Sequence, residues 1–288
     1  MRVLVTGAGG QVGRRLASAA PAEIQVLATS HKELDIGDAS AVSQYVRQHS
    51  PDIIINAAAH TAVDRAESEP ELARRVNSEG PRHLAAVARD TGARIIHIST
   101  DFVFDGASSV PYRPDAPTGP LNTYGATKLG GEKAVLETLP GRAVVLRTAW
   151  VYAAEGSNFV RTMLRVMNAN RSVRVVADQV GTPTAAVSLA ETLWKIAAQP
   201  DIKGVHHWTD AGVASWYDFA VAIAEEGARL GLVPDDVTVT PIATAEYPTP
   251  ARRPSYSVLD KSSLTSIGFT PLHWRKRLRG VLEELTHG

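Results

Sequence analysis

The first thirteen residues constrain the fold more than any other stretch. Arg2-Val3-Leu4-Val5-Thr6 is a short apolar run that breaks into Gly7-Ala8-Gly9-Gly10-Gln11-Val12-Gly13. The run reads as a buried strand, and residues 11–20 after it read as a helix. Three glycines at a spacing of three therefore fall on a strand-to-helix turn. Gly7 permits the tight turn, Gly10 lets a pyrophosphate approach the backbone at the helix N-terminus, and Gly13 lets helix and strand pack closely. Glycine-rich turns also occur in other α/β proteins, so the turn has to be read with the rest of the chain.

The rest of the first half alternates. Strand patterns over 24–29, 52–56, 93–98 and 143–147 are separated by helical patterns over 40–49, 71–89 and 124–139. Such alternation with short links predicts an α/β fold with a Rossmann-like, doubly wound parallel sheet, whose ligands bind beyond the carboxyl ends of the strands. Gly7, Ala59 and Thr100 all fall at such ends. Beyond Trp150 the alternation weakens, with helices expected over 158–169, 185–198 and 215–230 and short strands over 173–176 and 205–208. The expected division is a dinucleotide-binding domain of residues 1–151 and roughly 172–200, and a smaller, partly interleaved α/β substrate lobe of roughly 152–171 and 201–288.

The end of the second strand bears on the cofactor. A carboxylate there would bind the ribose hydroxyls of NAD. The sequence instead reads Thr29-Ser30-His31-Lys32, with no acid. Hydroxyls and a cation suit the 2′-phosphate of NADP, so NADPH is expected, with NADH possible. Asp35, in Leu34-Asp35-Ile36, is placed to accept from the adenine amino group, or else it is a turn or N-cap residue.

The chemistry is carried by Tyr124-Gly125-Ala126-Thr127-Lys128. Four residues apart on a helix, phenol and ammonium share a face. A cation beside a phenol favours the phenolate, so Lys128 is expected to lower the Tyr124 pKa and make Tyr124 a proton donor to a carbonyl receiving hydride. Alone the pair also fits an exposed helix face; it gains weight beside the glycine turn.

Composition narrows the class. A chain of 288 residues with 44% apolar and 21% charged residues is ordinary for a globular enzyme. The formal net charge is zero and no basic block occurs, so neither nucleic acid nor a membrane surface is an expected partner. No cysteine is present, which excludes thiolate chemistry and suits a reducing cytoplasm, the expected location. The apolar run at Val3–Val5 is too short for a signal peptide or a membrane span. Neighbouring residues on a strand point to opposite faces, so His206-His207 cannot readily hold one ion, and no metal is expected.

Longer motifs carry a resemblance. Asn56-Ala57-Ala58-Ala59-His60-Thr61-Ala62-Val63-Asp64, Ser99-Thr100-Asp101-Phe102-Val103-Phe104-Asp105-Gly106, Arg147-Thr148-Ala149-Trp150-Val151-Tyr152, Asp178-Gln179-Val180-Gly181-Thr182-Pro183-Thr184 and Tyr247-Pro248-Thr249-Pro250-Ala251-Arg252-Arg253-Pro254 stand in this order. With the glycine turn and Tyr124-x-x-x-Lys128, they resemble the dTDP-4-dehydrorhamnose reductase family of the extended short-chain dehydrogenase/reductase superfamily. The resemblance implies NADPH-dependent reduction of the 4-keto group of dTDP-4-dehydro-L-rhamnose, giving dTDP-L-rhamnose. It implies Tyr124 as proton donor, Lys128 on the nicotinamide ribose, and Thr100 near the keto oxygen. Gly7, Gly10, Gln11, Val12, Gly13, Ser30, Asp35, Ile36, Ala59, His60 and Thr61 would form the cofactor site with Tyr124 and Lys128. Asp101, Trp150 and Arg253 would contact the nucleotide sugar.

Other readings stay open. Thr100 also suits a strand-end cap, Trp150 core packing, and Arg252 or Arg253 a surface ion pair. Phe102 stands where the family usually shows tyrosine. Arg15 stands where some members carry a glutamate that helps bind magnesium at a dimer contact, so a monomer or weak homodimer is expected. Rival functions are reduction of another dTDP-4-keto-6-deoxysugar, such as a dihydrostreptose-type synthase performs, an epimerase or dehydratase, and a non-catalytic NADP-binding regulatory subunit.

Overall fold

The computed structural model describes residues 1–286. Five strands arrive first, β1 (Arg2–Thr6), β2 (Gln25–Thr29), β3 (Ile53–Asn56), β4 (Arg94–Thr100) and β5 (Ala143–Thr148). Between them run α1 (Gln11–Ser18), α2 (Ala39–His49), α3 (Val63–Ser68), α4 (Pro70–Arg74), α5 (Gly80–Thr91) and α6 (Thr123–Thr138). Then come β6 (Val151–Tyr152), α7 (Phe159–Ala169), β7 (Ser172–Val176), β8 (Val180–Gly181), β9 (Thr184–Ala185) and α8 (Ala186–Ala197). The chain closes with β10 (Gly204–His207), β11 (Ala214–Ser215), α9 (Trp216–Arg229), β12 (Thr238–Ile242), α10 (Ser262–Thr265) and α11 (Trp274–Thr286).

Among the described residues, six strands form one parallel sheet in the order β10-β5-β4-β3-β1-β2. The alternation of side chains explains its two buried faces. Val3, Val5, Ile53, Ile55, Val144 and Leu146 pack against Leu16 of α1 and Leu189, Leu193 and Trp194 of α8. Leu4, Ile54 and Ile95 point the other way, against Val42 and Val46 of α2, Leu84 of α5 and Val135 of α6. The chain leaves β1 toward β2 on one side and continues through β3, β4 and β5 on the other. Carboxyl-end loops diverge at that reversal and leave a crevice.

A second core holds Tyr152, Val160, Val173, Val175, Phe219, Ile223, Trp274 and Leu278. Here β7 pairs with β12 in parallel, and α9 opens with a capping box between Ser215 and Asp218. The expected domain limits therefore shift. The strand at 204–207, assigned to the substrate lobe, extends the large sheet beside β5. The strand at 172–176, assigned to the dinucleotide domain, belongs to the second core. Both are short, and a short strand's partner is set by tertiary packing, which local pattern does not show.

The helix expected over 71–89 is interrupted. Arg75–Glu79 winds as a π-helix between α4 and α5. Pro81 comes next, lacks an N–H and crowds the carbonyl four residues back, which is that of Asn77. The wider turn aims the Asn77 side chain at the loop after β3. Its Oδ1 accepts from the His60 N–H at 2.8 Å and its Nδ2 donates to the His60 carbonyl at 3.1 Å.

Candidate active site

Close backbone contact fixes the loops at the crevice. Gly7 has φ +72°, and a β-carbon there would lie 2.6 Å from the Ala58 backbone. A β-carbon on Gly13 would lie 2.2 Å from the Gly7 carbonyl oxygen. A larger residue at position 7 would push the glycine turn off the β3 loop, and one at position 13 would push α1 off the glycine turn. The result is a cavity of about 620 Å³ at the carboxyl ends of β1, β3, β4 and β5.

Of the residues singled out in the sequence, Gly10, Gln11, Val12, Ala59, Thr61, Thr100, Asp101, Tyr124, Lys128, Trp150 and Arg253 line this cavity. Gly7 and Gly13 shape it from behind. Ser30, Asp35, Ile36 and His60 do not line it, and each is engaged elsewhere. The Ser30 N–H and hydroxyl both donate to Glu33 Oε2 at 2.7 Å. The strand end therefore does meet an acid, one that folds back from three residues on. Asp35 accepts from the Gly37 N–H at 2.9 Å and pairs with Arg75 at 3.1 Å. Ile36 is buried in the core beneath Gly80. The His60 ring turns to Glu69 at 3.4 Å.

Tyr124 and Lys128 sit on the first turns of α6. Asn122 caps that helix, accepting from the Gly125 N–H at 2.8 Å. A β-carbon on Gly125 would be 2.2 Å from the Phe102 carbonyl oxygen, so the helix start lies directly on the turn after β4. Phe102 meets the Tyr124 ring edge to face, with centroids 5.6 Å apart. Tyr124 opens on the cavity, yet its surroundings are dense. Burial pushes the phenol up to about 12, the Thr100 hydroxyl opposes this, and the Asp101 charge adds to it. The lowering expected from Lys128 is not seen, and the phenol is raised instead. Lys128 is 2% exposed, and its Nζ donates to the Ile98 carbonyl at 2.6 Å. Burial brings the ammonium down to about 8, against the pull of Glu132 one turn on. Burial, felt by both groups, is the largest cause of both shifts.

Thr100 both caps its turn and lines the cavity. It accepts from the Phe102 N–H at 3.2 Å, capping the short turn Asp101–Val103, and it faces the cavity. Its hydroxyl donates to Asp101 Oδ1 at 3.0 Å. The other oxygen, Asp101 Oδ2, is buried without a protein partner, and burial raises the carboxyl to about 6.

Trp150 has φ +48°, a left-handed backbone held at some cost by its surroundings. Its ring stacks on Trp216 at 3.6 Å with planes 6° apart. Trp216 was not read from the sequence, since it arrives from α9 of the second core with only a capping box to mark it. Asn158 was also missed; it caps α7, and its Nδ2 reaches Gln11 Oε1 at 2.9 Å. Arg253 borders the cavity while paired with both oxygens of Asp64 at 2.8 and 3.2 Å. Arg15 lies between Glu155 and Glu284 of its own chain. His206 bonds Ser263 and the Lys203 carbonyl, and His207 bonds the Tyr112 carbonyl on the opposite face. No helix among the described residues is long and apolar enough to cross a membrane.

Known proteins resemble the chain over nearly its whole length. Residues 1–287 match the family model described as RmlD substrate binding domain. A dTDP-4-dehydrorhamnose reductase from Streptomyces griseus is 45% identical over 285 residues, 96% of this chain and 91% of the relative. A Streptomyces antibioticus protein named "Probable dTDP-4,6-dihydroxy-2-methyloxan-3-one 4-ketoreductase" is 42% identical, over 99% of this chain and 96% of its own. The crystal structure of dTDP-4-dehydrorhamnose reductase from Bacillus anthracis in complex with NADP superposes with a TM-score of 0.92 at 35% identity, over 98% of this chain and 99% of that one. The chain belongs to the dTDP-4-dehydrorhamnose reductase family.

Proposed function

We propose that this chain reduces the 4-keto group of dTDP-4-dehydro-L-rhamnose to dTDP-L-rhamnose, with NADPH as cofactor and Tyr124 as proton donor. The observation that carries the reading is the convergence of Thr100, Tyr124 and Lys128 on one cavity wall, opposite the α1 turn. The residues fit a dinucleotide. The N–H groups at the start of α1 have no partner within the helix and suit a pyrophosphate. Ala57, Ala58 and Ala59 leave room at the end of β3. When bound, the nicotinamide supplies the hydride.

The protein supplies position and a proton. A phenol held near 12 keeps its proton at neutral pH. A nascent alkoxide is a stronger base than a phenolate and takes that proton. The phenolate left behind is favoured when the Thr100 hydroxyl turns to it from Asp101 Oδ1. Lys128, an amine brought down to about 8, is suited to hold ribose hydroxyls and exchange protons near neutral pH. The stacked Trp150 and Trp216 form a flat wall where an apolar sugar face would rest.

The Streptomyces antibioticus relative favours a second reading, reduction of a different dTDP-4-keto-6-deoxysugar at the same site. NADPH oxidation with dTDP-4-dehydro-L-rhamnose, beside other dTDP-4-keto sugars and NADH, separates the two. Rapid turnover abolished in Tyr124→Phe, with NADPH binding retained, supports the first. Turnover only with another sugar supports the second. Indifference to Tyr124→Phe would point to a binding role and refute both.

A further inference from the structure

A polar chain runs across the sheet behind Lys128. Thr6, Asn56 and His97, on β1, β3 and β4, are each fully buried. The Thr6 hydroxyl donates to Asn56 Oδ1 at 2.7 Å, and the Ala58 N–H donates to the same atom at 3.1 Å. A backbone N–H can only donate, so it identifies that atom as the amide oxygen. The amide nitrogen therefore faces His97 Nδ1, at 3.0 Å, and must donate to it. His97 Nδ1 then carries no proton, and the neutral ring holds its single hydrogen on Nε2.

That hydrogen points at Lys128. His97 Nε2 lies 3.4 Å from Lys128 Nζ, whose other partner is the Ile98 carbonyl. An ammonium has three donors and no acceptor, so it cannot receive the Nε2–H. A neutral amine has a lone pair and can. We propose that His97, locked by Asn56 in the Nε2–H tautomer, is a positioning residue that favours the neutral amine of Lys128 and turns its remaining N–H bonds toward the cavity. The functional weight of this rests on the role proposed for Lys128 in the reductase; the tautomer does not.

The surroundings agree. Burial, together with the Lys128 charge, holds His97 well below the usual imidazole range, so the ring stays neutral. The other groups around Lys128 are Tyr124 and Glu132 on α6 itself, Asp101 after β4, and Arg147 on β5, which is spoken for by Glu132. Glu132 favours the ammonium. His97 is the polar side chain from β4 that opposes it.

The test is a tautomer exchange. In Asn56→Asp a carboxylate that can only accept replaces the amide donor, so the ring carries its hydrogen on Nδ1 and donates it to that carboxylate. The Nε2 lone pair then faces Lys128 and accepts from the ammonium. Long-range ¹H–¹⁵N spectra of the full chain, with His97 assigned through His97→Gln, read the tautomer. The Lys128 Cε shift against pH reads its ionisation without any substrate. The expected results are Nε2–H in the wild type, Nδ1–H in Asn56→Asp, and a Lys128 midpoint higher by about one pH unit or more in the variant. His97→Gln, whose amide can turn its oxygen to the ammonium, moves the midpoint the same way and serves if Asn56→Asp does not fold. An Nδ1–H wild-type ring, or an unmoved Lys128 midpoint in the folded variants, overturns the proposal. If the titrations behave as expected and no dTDP-4-keto sugar is turned over, the assigned reaction fails and the positioning of Lys128 stands.

Discussion

Glu132→Gln tests what holds α6, and with it Tyr124 and Lys128, against the sheet. Glu132 is 1% exposed and Arg147 is 4% exposed. Arg147 Nε donates to Glu132 Oε1 at 2.9 Å, and its terminal nitrogen donates to Oε2 at 2.7 Å. The Ser99 hydroxyl also donates to Oε1. The amide keeps the shape, removes the charge, and points an N–H₂ at a guanidinium that can only donate. Breaking one side of a buried pair costs about 3–5 kcal/mol, because the remaining charge stays in place without compensation. With an unfolding entropy proportional to 288 residues, that lowers the melting temperature by about 5–8 °C. Calorimetry and urea unfolding at neutral pH give the value. The double variant Glu132→Met with Arg147→Met removes both charges and should recover most of the loss, since apolar replacement of a buried pair is often neutral or better. A loss in Glu132→Gln below about 1 kcal/mol, or a double variant no more stable than the single, would refute this account of the pair. The same variant gives a second readout, because Glu132 raises the Lys128 pKa: in the folded single variant Lys128 should titrate below about 8.

Three further outcomes are expected. Gly181→Ala would place a β-carbon 2.7 Å from the Trp150 indole, so the stacked tryptophans must shift. The KM for the nucleotide sugar should rise several-fold with the NADPH Kd unchanged, and the far-ultraviolet exciton signal of the ring pair should weaken; an intact signal would contradict the stacking. Glu33→Gln weakens the hold on Ser30 and removes a negative charge where a 2′-phosphate would approach, so titrations should show a larger gain for NADPH than for NADH, and equal gains would count against Ser30. Asp101 and Asp210, raised by burial from 3.8 to about 6, each contribute stability that is present below about pH 4 and lost as pH rises through about 6, while His97 and His207, held neutral by burial, work in the opposite sense over the same window. The share of each carboxyl is on the order of 3 kcal/mol, so urea unfolding of Asp101→Asn with Asp210→Asn should show stability rising more steeply with pH between about 4 and 6 than in the wild type, and an unchanged slope would count against the raised carboxyls.

The strand–helix alternation of the first half and a good part of the cavity wall were legible because they rest on local rules. Glycines at a strand end, alternating apolar residues and a Tyr–Lys pair one helical turn apart each depend on a few neighbouring residues. The illegible parts come from distance. Trp216 reaches the cavity from a second core, and nothing near it in sequence points toward Trp150. Glu33 stood in plain view after Ser30, yet only the turn between them shows that its carboxylate takes the serine's hydrogen bonds. Asp64 and Arg253 are 189 residues apart, so their pairing needed the fold. His97 read as one more strand residue, and its place behind Lys128 appears only when β4 and α6 are packed together.

The sign of the Tyr124 shift carries the most for mechanism. A spacing argument counts one attraction, phenolate to ammonium, and predicts a lowered pKa. In the folded site burial is the largest influence on both groups, driving the phenol to about 12 and the amine to about 8. Groups pushed apart in this way settle which holds the proton. At neutral pH the phenol holds its own proton, as the role proposed for it requires. The amine lies close enough to neutrality to exchange a proton. An enzyme working in the oxidative direction would need the opposite arrangement, a phenol already ionised before the alcohol binds. Proton release on forming the NADPH complex distinguishes the two. A phenol near 12 implies little or none from Tyr124, and a full equivalent lost in wild type but not in Tyr124→Phe would show that cofactor binding alone reverses the balance.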